Sequence, residues 1–61
     1  MNAHDEALIE EMEEHAKGPT SYMDCYFTAL ALRDKTQSKE AWDILERMAS
    51  RYYHLDEGEW I

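Results

Sequence analysis

Between Ser38 and Asp56, the apolar residues Ala41, Leu45, Met48, Tyr52 and Leu55 follow one another at spacings of four, three, four and three. That is the period of one face of an α-helix, held for about five turns at roughly 3.6 residues each. Trp42, Ala49 and Tyr53 widen the seam, while Asp43, Glu46, Arg47 and Arg51 take the opposite side. Ser38 is placed to cap the first turn. A stripe this wide has to be buried against something.

Two further helical segments precede it. From Asn2 to Lys17, Leu8, Ile9, Met12 and Ala16 fall on one narrow face, with Glu6, Glu10, Glu13 and Lys17 on the far side and Glu11 and Glu14 beside them. Asp5 and Glu6 near its start and Lys17 near its end agree with the helix dipole. So thin an apolar face predicts the least firmly docked helix of the set. Gly18-Pro19 stops it, with the glycine expected in a left-handed cap. Thr20 or Ser21 can cap the next helix, which carries Met23, Tyr26, Phe27 and Leu30 on one face and Tyr22, Cys25, Ala29 and Leu32 on an adjoining strip. Two apolar strips predict a central helix. A strand across residues 26–30 is the alternative, but no hairpin partner exists for it.

The segment Asp34-Lys35-Thr36-Gln37-Ser38 has no apolar residue, which predicts a turn and an αα-hairpin. It also has neither Gly nor Pro, so one continuous helix stays open as an alternative. Gly58 is expected to end the last helix, and Trp60 with Ile61 forms an apolar tip that could fold back on the bundle.

At 61 residues the chain is one small domain. Its single cysteine, Cys25, cannot make an internal disulfide, and nothing else in the sequence staples so small a core. Self-association as a homodimer is the expected remedy. The free thiol and four methionines suit a reducing cytoplasm. No apolar run is long enough for a membrane span, and the N-terminus lacks the basic and then apolar regions of a secretory signal. The net charge of -8 opposes nonspecific binding to nucleic acid.

No motif of a reaction, a cofactor or a metal site is present, so neither a cofactor nor an enzymatic activity is expected. Glu11 and His15 stand one helical turn apart, yet no HExxH or ExxH spacing accompanies them, and Glu6, Glu10, Glu13 and Glu14 read as an acidic surface. Cys25 lies on an apolar strip with no base one turn away, the pattern of a buried inert thiol. Arg33, Lys35, Lys39, Arg47 and Arg51 hold five of the six basic charges and could form a basic patch for a helix-turn-helix DNA reader. Asp34, Glu40, Asp43 and Glu46 are interleaved with them, as on a salt-bridged surface. The aromatic residues serve either a core or an interface, where Tyr and Trp are enriched.

The acid-rich start HDEALIEEMEEH and the aromatic-rich end WDILERMASRYYHLDEGEWI, in a chain of this length, resemble the short acidic accessory proteins of lambda-like temperate phages, encoded between the recombination and excision genes. The resemblance implies a small regulatory protein that acts on a host or phage partner, and it carries no catalytic residues.

The expectation is therefore an all-α protein, one domain over residues 1–61, with helices near 2–17, 21–34 and 38–56. It would be a helical hairpin or three-helix unit assembled as a dimeric bundle. The expected interface comprises Phe27, Leu30, Ala41, Trp42, Leu45, Met48, Tyr52 and Leu55. The expected function is noncatalytic binding of another protein, through that apolar-aromatic face or through the acidic helix. The alternative is a nucleic-acid-related role, either as an acidic DNA mimic or as a helix-turn-helix binder.

Overall fold

The computed structural model describes residues 1–58, with side chains through Leu55, so the expected folding back of Trp60 and Ile61 lies outside the described residues. Three helices account for most of this length: α1 (Ala3–Lys17), α2 (Tyr22–Arg33) and α3 (Lys39–Gly58). Among the described residues there is no strand, and no helix is long and apolar enough to cross a membrane.

Each helix starts at a side chain suited to the task. Asn2 accepts the Asp5 backbone N–H at 2.8 Å, Ser21 accepts that of Asp24 at 3.1 Å, and Ser38 accepts that of Ala41 at 3.3 Å. These caps satisfy donors that a helix cannot satisfy from within.

The end of α1 departs from expectation. Gly18 has φ -80° and ψ 179°, an extended conformation rather than a left-handed one. Pro19 accounts for this, because its ring crowds the preceding residue out of helical space and toward extended backbone. The Thr20 N–H then closes on the Gly18 carbonyl at 2.8 Å, turning the chain tightly around Pro19. The turn between α2 and α3 is real, and the continuous-helix alternative is not formed. Lys35 and Thr36 donate to the carbonyls of Leu32 and Arg33 at 3.0 and 3.1 Å, and the Thr36 hydroxyl donates to the Arg33 carbonyl at 2.7 Å. These three-residue closures tighten the last turn and leave no path for straight continuation.

α2 and α3 pack antiparallel, with Tyr22 beside Tyr52 at one end and Arg33 beside Glu46 and Trp42 at the other. Alanines let the two backbones approach: Ala29 and Ala49 are both buried in the shared core. α1 covers one side of this hairpin. Its Leu8 and Met12 join Cys25, Ala29, Leu32, Leu45 and Ala49 in one core. The chain exposes 4271 Å², close to the roughly 4,100 Å² of an ordinary folded monomer of this mass.

Candidate interaction face

The side of the hairpin turned away from α1 is an open aromatic face. α2 contributes Tyr26, Leu30 and Arg33, and α3 contributes Glu46, Ala49, Ser50 and Tyr53, around a groove of about 360 Å³. The helical period explains the set: residues 26, 30 and 33 lie along one line of α2, and 46, 49, 50 and 53 along one line of α3. The Tyr26 ring contacts those of Phe27 and Tyr53, with centroids 5.2 and 5.4 Å apart. Phe27 stands out beside the groove with 60% of its surface exposed. Trp42 and Tyr53 are each 39% exposed, more than aromatic side chains retain when they serve only a core.

Arg33 closes one end of the groove. Its guanidinium pairs with Glu46, reaches Asp34 at 3.3 Å, and lies 4.9 Å over the Trp42 ring. The hydrogen bond it donates to Glu46, seconded by one to Asp34, raises its pKa further above the ordinary value, against the opposing effect of burial. Its Nε is buried without a hydrogen-bond partner.

The expected interface residues divide. Phe27, Leu30 and Trp42 belong to the open face. Ala41 and Leu45 are fully buried within the single chain. Met48 and Tyr52 are half-buried against the core, and Leu55 is exposed at 41%. Leu8 and Met12 of α1 lie in the same core as Leu45.

The five basic residues differ in their surroundings. Arg33 is engaged as above, and Lys39 pairs with Asp43 at 3.1 Å. Lys35, Arg47 and Arg51 are exposed. Of the acidic set, Glu6, Glu10, Glu13 and Glu14 are all exposed on α1, and Glu14 pairs with Lys17 at 3.3 Å. Among the described residues, no three His, Cys, Asp or Glu side chains converge as metal ligands would. His15 instead bridges helices, its Nε2 lying 3.2 Å from both Asp24 Oδ2 and Thr28 Oγ1. Cys25 is buried and shares a 3.1 Å hydrogen bond with the Thr20 hydroxyl.

The residue least visible in the sequence is Asp5. It is wholly buried, and its carboxylate accepts the backbone N–H of Gln37 at 2.9 Å, that of Ser38 at 2.9 Å and the Ser38 hydroxyl at 2.7 Å. His4 Nδ1 lies 3.0 Å from the same carboxylate. The Ser38 hydroxyl is the largest influence on the Asp5 pKa, which falls from 3.8 to about 2. Burial pushes the other way, and His4 and the two backbone N–H groups add to the fall. A signal did exist: Asp5 lies three residues before Leu8 and seven before Met12, on the very stripe α1 buries. A carboxylate on such a stripe needs donors from elsewhere in the fold.

Comparison with protein families, with characterised proteins and with solved structures found no match.

Proposed function

We propose that this chain is a noncatalytic interaction protein whose binding surface is the open α2/α3 face. The observation that carries this reading is the exposure of Phe27, Trp42 and Tyr53 on the side of the hairpin that α1 leaves uncovered. Exposed aromatic side chains beside a stacked arginine are the composition of protein-binding surfaces. The resemblance to temperate-phage accessory proteins fits a regulatory role in the cytoplasm for a protein of this kind.

The second reading rests on α1, where exposed Glu6, Glu10, Glu13 and Glu14 offer a line of negative charge to a DNA-binding protein. A photo-crosslinking residue at position 27, and separately at position 13, discriminates the two. In lysate of the producing cell, position 27 should give protein adducts and position 13 should not. Adducts from position 13 alone, competed by duplex DNA, would replace the aromatic face with the acidic helix.

A further inference from the structure

We infer that the occupant of the open face is a second copy of this chain, docked about a two-fold axis; this rests on the reading of that face as a protein-binding surface. Charge separates the candidates. The molecule carries -8 overall, so two copies repel wherever both present acids. The open face is the exception. Its lining includes one cation and one anion, Arg33 and Glu46, and these are paired with each other. Among the described residues, Asp34 is also held by Arg33 and Asp43 by Lys39. A strongly basic partner would gain nothing from this neutral surface and would settle on α1. A second copy can approach here without burying an unpaired charge.

Shape points the same way. Each copy carries both a knob, Phe27, and a recess of about 360 Å³ beside it. A two-fold axis lets the Phe27 of each copy enter the recess of the other, satisfying both at once, as a self-complementary interface requires. A stable interface of standard size takes roughly 800 Å² from each partner. That is about a fifth of the 4271 Å² the chain exposes. Because the core is complete without the partner, the dimer joins folded monomers and dissociates into folded monomers.

Sedimentation equilibrium on the full chain, from about 10 to 500 μM, is the test, run beside Phe27→Glu and Ser50→Trp. Both positions are exposed, so neither variant loses core packing, and circular dichroism checks that each stays helical. The unaltered chain should form a species of twice 7.2 kDa. Each variant should raise the dissociation constant at least about tenfold, one by placing a charge on the knob, the other by filling the recess. A 7.2 kDa species throughout the range overturns the inference. So does a dimer that neither variant weakens, since it would then use another surface. A monomer that still crosslinks from position 27 to a different protein overturns the second copy alone and leaves the broader reading standing. A monomer that crosslinks to nothing from that position removes both.

Discussion

Asp5 and Ser38, 33 positions apart in the chain, are joined twice: the Ser38 backbone N–H and hydroxyl both donate to Asp5 Oδ2, at 2.9 and 2.7 Å. One carboxylate thereby fastens the start of α1 to the start of α3. The Ser38 hydroxyl is used in both directions, donating to Asp5 while accepting the Ala41 N–H. The negative charge also faces the positive end of the α3 dipole. A helix with only Leu8 and Met12 fully placed in the core thus gains a polar anchor that apolar burial alone would not supply.

The anchor makes stability depend on pH in a defined window. The Asp5 pKa is lowered in the folded protein to about 2, against an ordinary value of 3.8. A depressed acid stabilises the fold fully above its unfolded value, and that contribution is lost as pH falls through the folded value. The Asp5 contribution is therefore complete above about pH 4 and fades toward pH 2. Asp5→Asn should lower the urea midpoint at pH 5 and flatten its dependence between these limits. Parallel curves for both proteins from pH 5 to pH 2 would show that the carboxylate is not held by Ser38 and Gln37.

Cys25 is 2% exposed, and its sulfur is engaged by Thr20. A thiol so placed reacts only when the structure opens. Its rate with an aromatic disulfide reagent should rise on the order of a hundredfold in denaturant, given a small domain of a few kcal/mol. Equal rates in both conditions would mean that the α1–α2 connection does not cover the sulfur.

α1 should open before the hairpin does. Its apolar share of the core is two residues, while α2 and α3 bury their alanine-lined faces against each other. Amides from Glu6 to Ala16 should exchange faster than those from Leu45 to Tyr52. Asp5→Ala should accelerate the first group and leave the second nearly unchanged. Comparable protection in both segments would make α1 an integral part of a single cooperative unit.

Periodicity and caps made the three helices legible, because apolar spacing, Ser21 and Ser38 act locally. What escaped depends on distance or on a neighbour. Gly18 looked like a left-handed cap until the crowding by Pro19 is weighed. Asp5 looked like a dipole residue because its donors, Gln37 and Ser38, lie far along the chain. The seam of α3 was visible, but a stripe reveals that it is covered and not by what. The same spacing fits α1 or a second chain, and only the path of residues 18–38 selects α1. The paired state of Arg33 was hidden likewise, since Glu46 meets it only after the hairpin closes.

Leu45 tests where the seam is buried. It is 0% exposed and packed among Leu8, Met12, Cys25, Ala29, Leu32 and Ala49 of its own chain. Leu45→Ala removes most of that side chain and leaves a cavity that the surrounding helices fill only in part, at a cost of about 2–5 kcal/mol. A core of this size supplies no more than roughly 3–5 kcal/mol in total, so the variant should be largely unfolded at room temperature. Leu45→Glu should be wholly so, because the core offers a carboxylate no donor. The loss should be independent of protein concentration below the dimer range, since the contacts removed lie within one chain. Phe27→Glu should behave oppositely, keeping its helical signal in dilute solution and losing only association. Urea melts followed by circular dichroism at 1 and 100 μM measure both. A Leu45→Ala cost under about 1 kcal/mol, or one that falls away as concentration rises, would return the seam to an interface between chains.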